Sequence, residues 1–217
     1  MKIELSEYKA FIFDLNGTMI DDMDYHVKAW HRIVNYFGAN LSMDEVREQC
    51  YGKNNELMER VFPGRFSEEE KNKMGFEKEE QYQREYKPDL KLINGLDSFL
   101  QKACNKKIKM AIGSAAIPYN IDFVLDGLQI RKYFEVVVSA DDVTKSKPDA
   151  ETYLKCVTEL NLDATNCLVF EDVPKGVESA QNAGMNCVVI TTMHDQEEFN
   201  DYSNVIGFIA DYEGLVL

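Results

Sequence analysis

The chain has 217 residues, 45% of them hydrophobic, with only 12 Gly and 5 Pro, which fits one large domain or a core with an insert and excludes collagen-like, linker and disordered classes. Its 24 Lys and Arg against 38 Asp and Glu leave a formal charge of −14, so the basic field that nucleic acid or an anionic membrane surface requires is missing. No apolar run approaches the roughly 20 residues of a membrane span, and MKIELSEYKAFIF lacks a basic start and apolar leader, so a soluble, cytoplasmic protein is expected.

The first strand signal is KAFIFD at 9–14, a short apolar run broken by the loop LNGT, as expected of a buried parallel strand that ends at a site. From Asp21 to about Tyr86 no strand-like run occurs. Helical periodicity with charged faces, as in YHVKAWHRIVNYF and SEEEKNKMGFEKEEQYQREY, predicts a helical insert there. Ser67 followed by Glu70 is a capping-box start for its last helix, and Lys87-Pro88 marks that helix's end. Beyond it, strand-like runs recur at 107–114, 134–140, 166–172, 186–191 and 204–210, with helical patterns at 96–102, 120–128, 150–160 and 173–183. This alternation predicts an α/β fold, a doubly wound, mostly parallel Rossmann-like sheet with right-handed crossovers, made of residues 1–17 and 87–217 and carrying an inserted helical cap over 18–86. Cys50, Cys104, Cys156, Cys167 and Cys187 are odd in number and lack a CxxC pair, so free thiols are expected. His26, His31 and His194 are wrongly spaced for a histidine metal site.

Ligands of open α/β sheets bind beyond the carboxyl ends of the strands. Four such ends carry chemistry: Asp14-Leu15-Asn16-Gly17-Thr18, Gly113-Ser114, Lys145-Ser146-Lys147-Pro148 after the third run, and Glu171-Asp172. Each alone reads as a turn, a loop, a helix entry or a solvated pair. Together, in order at successive strand ends, they supply a carboxylate nucleophile, a hydroxyl, an ammonium and a carboxylate pair, a set suited to phosphate beside a divalent cation.

The stretches FDLNGT, IGSAA, SKPDAETY and FEDVPKGVESAQNAGM resemble the four motifs of the haloacid dehalogenase-like hydrolase superfamily across the whole core, and the insert resembles the α-helical cap of its β-phosphoglucomutase-like subgroup. DYHVKAW at 24–30 is similar to the stretch that follows the first motif in that subgroup. The resemblance implies a small phosphorylated metabolite as partner, with Asp14 as nucleophile forming an aspartyl phosphate. It implies Mg²⁺ held by Asp14, the backbone carbonyl of Asn16 and Asp172, with Glu171 as a further ligand or an orienter of waters. Lys147 would neutralise charge on the phosphoryl group and restrain Asp14. Ser114, Ala115 and the backbone N–H groups of the Leu15–Asn16 loop would bind the phosphoryl oxygens. A monomer is expected.

Position 16 departs from the family pattern, where an Asp protonates the leaving group. An Asn there donates a hydrogen bond but transfers no proton, help that is typically worth about 10²–10⁴-fold. The leading reading is therefore a slow phosphatase with His26 as the nearest alternative acid. Two others stay open: β-phosphoglucomutase chemistry, which Asn16 disfavours, and a phosphometabolite-binding module that barely turns over. A dehalogenase is disfavoured by Lys147 and the Glu171-Asp172 pair. In the cap, Lys53 stands where the subgroup would place an arginine for the distal phosphate, and it is either that charge or an exposed helix-start lysine. His26 and Trp30, one turn apart, are candidate substrate contacts, with packing between helices the competing role for Trp30.

Overall fold

The computed structural model describes residues 3–217. In chain order its regular elements are β1 (Ala10–Phe13), α1 (Met23–Tyr36), α2 (Met43–Gln49), α3 (Asn54–Val61), α4 (Glu68–Tyr86), α5 (Leu96–Asn105), β2 (Lys109–Gly113), α6 (Pro118–Gly127), β3 (Val136–Val138), α7 (Glu151–Leu160), β4 (Cys167–Glu171), α8 (Pro174–Asn182), β5 (Asn186–Ile190) and β6 (Val205–Ile209). The six strands form one parallel sheet in the order β3-β2-β1-β4-β5-β6.

Strand alternation sorts the core into two faces. From β1 and β4, Ala10, Ile12, Cys167 and Val169 point to the side where Tyr153, Cys156 and Leu160 of α7 and Val177 and Ala180 of α8 pack. The other face is aromatic. Phe11, Phe13 and Phe170 meet Phe99 of α5 and Tyr212, with Phe13 and Phe170 stacked at 4.8 Å between ring centres. Both faces of these strands are therefore buried, which is why their sequences read as continuous apolar runs rather than alternating ones.

The chain divides into two compact units, one holding the segments up to Asp21 and from Lys91 to Leu217, the other Asp22–Leu90. The division falls at 21/22 and 90/91, beside the breaks at 17/18 and 86/87 drawn from sequence. Residues 18–20 stay with the sheet because Thr18 bonds Asp172, the Met19 carbonyl accepts from the Ile93 N–H, and Met19 and Ile20 are fully buried.

The helical unit has its own apolar centre, with Val27, Trp30 and Val34 of α1, Val46 of α2, Leu57 and Met58 of α3, Phe62, and Met74 of α4. Two capping boxes start α2 and α4: the hydroxyls of Ser42 and Ser67 accept from the N–H groups of Glu45 and Glu70, whose carboxylates accept from the serine N–H groups in return. No helix among the described residues is long and apolar enough to cross a membrane.

Candidate active site

The strand order reverses between β1 and β4, the switch point at which doubly wound sheets leave a crevice beyond the strand ends. Phe13 pairs with Phe170 on one side and Ile112 on the other, so Asp14, Glu171 and the segment Gly113-Ser114 emerge at one level of the sheet. The Asp14 N–H donates to the Phe170 carbonyl at 3.0 Å, and the Ser114 N–H to Val138 at 2.9 Å, so the ladder continues one residue past each strand and fixes where these side chains start. Lys147 arrives from the loop between β3 and α7, before a cis bond to Pro148.

These residues converge. The Lys147 ammonium donates to Asp14 Oδ1 at 2.7 Å, to Glu171 Oε1 at 2.7 Å and to the Tyr153 hydroxyl at 2.8 Å, which occupies all three of its hydrogens. The Tyr153 hydroxyl in turn donates to Glu171 Oε1 at 2.9 Å. Glu171 Oε2 accepts from the N–H groups of Asp172 and Val173, so both oxygens of this fully buried carboxylate are engaged by protein donors. Asp172 Oδ1 accepts from the Thr18 hydroxyl at 2.9 Å.

Two glycines make the approach possible. Gly17, at φ +75°, lies so close to Asp172 that a Cβ there would fall 2.0 Å from Oδ2, and a Cβ at Gly176 would fall 1.7 Å from Glu171 Oε1. The Thr192 hydroxyl donates to the Gly17 carbonyl and braces this turn from the end of β5.

Three buried carboxylates lie at this site, and the Lys147 ammonium bonds two of them. Burial opposes the charge on Lys147, but the carboxylates of Asp14 and Glu171 outweigh it and hold the ammonium above the ordinary lysine range. Asp172 moves the other way for an acid: burial first, then repulsion from Glu171 and Asp14, raises it well above the ordinary aspartate range despite the Thr18 bond and the Lys147 charge. Burial, then Glu171 and Asp14, likewise raises Tyr153, so it stays a neutral hydroxyl at physiological pH.

This excess of buried carboxylates over ammonium suits a cation. Carboxylate oxygens of Asp14, Glu171 and Asp172 lie within 4.8 Å of one another, and Asp172 Oδ2 is a buried oxygen with no hydrogen-bond partner among the described residues. An all-oxygen donor set with an orphaned carboxylate oxygen fits a hard divalent ion such as Mg²⁺. Asp172 and Asp14 offer the ligands, whereas the fully engaged Glu171 fits an orienting position.

Asn16 lies on the same loop, partly exposed and in bridge pairing with Ile20. Ser114 is buried and its Oγ accepts from the Ala116 N–H, with Ala115 partly exposed between them. The remaining candidates belong to the helical unit. His26 is buried and stacks on Tyr82 at 3.8 Å; its Nδ1 meets the Lys78 ammonium at 2.6 Å and its Nε2 lies 3.2 Å from Asp22. Trp30 sits in that unit's apolar centre. Lys53 precedes α3, its backbone N–H donating to Glu56 Oε2. Sequence reasoning did not assign Tyr153 or Thr18 a role. The signal for Tyr153 is its place in the first turn of the helix six residues after Lys147; for Thr18 it is a hydroxyl one turn beyond Asp14.

A haloacid dehalogenase-like hydrolase family model matches residues 11–190, which spans β1 through β5. The chain belongs to this family. Among relatives of this haloacid dehalogenase-like hydrolase, a phosphorylated carbohydrates phosphatase of Thermotoga maritima is 30% identical, covering 86% of this chain and 88% of its own. A fructose-1-phosphate phosphatase of Escherichia coli is 26% identical, covering 83% of this chain and 95% of its own. The structure of β-phosphoglucomutase from Clostridium difficile superposes with a TM-score of 0.84 at 26% identity, covering 97% of this chain and 94% of that one.

Proposed function

We propose that the chain is a Mg²⁺-dependent phosphatase of small phosphorylated sugars that works through an aspartyl phosphate on Asp14. The observation that supports it most is the buried convergence of Asp14, Lys147 and Asp172 from three separate segments, with an orphaned carboxylate oxygen among them. The phosphatase relatives name phosphorylated carbohydrates and fructose 1-phosphate as their substrates, which supports the sugar class.

Bound at Asp172 and Asp14, Mg²⁺ would offset the charge of the carboxylates and of the phosphate dianion. The protein's own groups do the rest. Asp14 attacks phosphorus, the ester P–O bond breaks, and the phosphoryl group is left on the Asp14 carboxylate. Lys147 holds Asp14 in line and faces the negative charge that develops on the phosphoryl oxygens, aided by the Ser114 hydroxyl and loop N–H groups. Water then cleaves the acyl phosphate, returning the Asp14 carboxylate and releasing inorganic phosphate.

Asn16 limits the first half, the departure of the leaving group. Its amide steadies the departing oxygen by a hydrogen bond but hands over no proton, so the leaving group departs as an alkoxide protonated by solvent. An aryl phosphate, whose phenolate needs no such help, is therefore turned over faster than a sugar phosphate. Asn16→Asp is expected to raise sugar-phosphate turnover by about 10²–10⁴-fold and aryl-phosphate turnover far less. Equal rates on both esters in the unaltered chain would contradict the role given to position 16. A mutase reading draws support from the β-phosphoglucomutase likeness; formation of glucose 6-phosphate from β-glucose 1-phosphate and a bisphosphate activator, in place of phosphate release, would favour it.

A further inference from the structure

We propose that Tyr153 is a positioning residue for catalysis, whose hydroxyl fixes the Lys147 ammonium against the nucleophile Asp14. This inference rests on the aspartyl-phosphate reading above. Its basis is the closed set of bonds around one buried cation: Lys147 donates to Asp14, Glu171 and Tyr153 at 2.7, 2.7 and 2.8 Å, and Tyr153 donates onward to Glu171 at 2.9 Å. An ammonium on a four-carbon stem is a rotatable point charge. Two acceptors leave its third hydrogen to wander, and the competing pull of the fully buried Glu171 draws it from Asp14. The phenol oxygen closes the tripod, and by neutralising part of the demand on Glu171 Oε1 it sets the balance between the two carboxylates.

Packing holds that oxygen in place. Tyr153 is fully buried in the first turn of α7, its ring against the end of β2 where a Cβ at Gly113 would approach Cδ1 to 3.2 Å, and the Lys147 ammonium lies 4.6 Å from the ring centre. Gly176 leaves room for Glu171 Oε1, the atom on which both donors meet. Because the ring is fully buried and phenylalanine has the same ring, Tyr153→Phe removes the hydroxyl and leaves the packing. A purely structural tyrosine and a positioning one then give different results.

The test compares the unaltered chain, Tyr153→Phe and, as a packing control in the same helix, Leu160→Ala. Turnover of p-nitrophenyl phosphate with Mg²⁺ is expected to fall about tenfold or more in kcat for Tyr153→Phe, the effect of one hydrogen bond to a charged group, with KM and Tm little changed. Leu160→Ala is expected to lower Tm with kcat retained. Independently of activity, ¹⁵N-lysine NMR of the metal-free protein is expected to show the Lys147 ammonium protons exchanging with water about tenfold faster in Tyr153→Phe. Unchanged kcat together with unchanged exchange overturns the proposal, as does a loss of kcat in Leu160→Ala equal to that in Tyr153→Phe. Absence of phosphate release from the unaltered chain would sink the phosphatase reading instead, and the ammonium exchange would still decide whether Tyr153 holds Lys147.

Discussion

Asp172 occupies an uncomfortable place for a carboxylate: buried, facing Asp14 and Glu171, and with Oδ2 unpartnered among the described residues. The direction of its shift has a thermodynamic consequence. An aspartate that ionises near pH 3.9 when unfolded but well above that when folded binds its proton more tightly in the native state. Stability is then fully present below about pH 4 and is lost as pH rises toward the folded value. Asp172 should therefore take stability from the metal-free protein as pH climbs from about 4 into the neutral range, against paired carboxylates such as Glu59 and Asp142 that add it, and Mg²⁺ should restore more Tm at about pH 7.5 than at about pH 5. Asp172→Asn keeps an oxygen for the Thr18 hydroxyl while removing the charge, so it should flatten the metal-free pH profile and abolish the Mg²⁺ increment. Thermal unfolding with EDTA and with excess Mg²⁺ reads this directly, and a full Mg²⁺ increment in Asp172→Asn would remove that residue from the metal site. The opposite substitution rule holds for Lys147: deleting the one cation strands buried carboxylates, a loss that typically costs about 3–5 kcal/mol.

The helices of the second unit separate packing from recognition. Trp30 is 3% exposed at the centre of the apolar cluster of α1–α4, so Trp30→Ala should destabilise the chain by about 3–5 kcal/mol, seen as a lower urea midpoint. Lys53 differs, because its backbone N–H donates to Glu56 Oε2 and alanine retains that bond. If its ammonium reads a distal phosphate or hydroxyl of the sugar ester, Lys53→Ala should raise KM for sugar phosphates about tenfold with Tm unchanged; an unchanged KM would leave Lys53 as a helix-start residue. Helix α4 shows why charge pattern alone misleads. Its sequence is dominated by Glu and Lys, and reads as a solvated face, yet Lys78, Glu79 and Tyr82 are buried in it, satisfied by Lys78 to Glu79 at 3.0 Å, Asn54 to Glu79 at 2.8 Å and Tyr82 to Asp22. His26 belongs to the same cluster through Lys78 and Asp22, and its ring is committed to contacts within the helical unit.

Taken along its full length, the chain announces its sheet plainly, because strands buried on both faces are uninterrupted runs such as AFIF and CLVFE, and each run from 9–14 to 204–210 contains a strand. The ends of those runs also announce the polar cluster, since in a parallel sheet they must share one edge. Lys147 and Asp14 meet across 133 positions for that reason. What sequence could not show is set by side-chain direction: that the Tyr153 hydroxyl reaches two partners depends on the rotation of α7 against β4, and that His26 is enclosed by Lys78 and Asp22 depends on how α1 and α4 pack. Both are tertiary choices that periodicity does not encode.

Phosphate release from a sugar phosphate and from p-nitrophenyl phosphate, measured for the unaltered chain and for Asp14→Asn in Mg²⁺ and in EDTA, reaches the heart of the proposal. Release that requires Mg²⁺, favours the aryl ester and disappears in Asp14→Asn is the expected outcome. Release that persists in Asp14→Asn, or that EDTA leaves untouched, would contradict a phosphoryl transfer centred on Asp14.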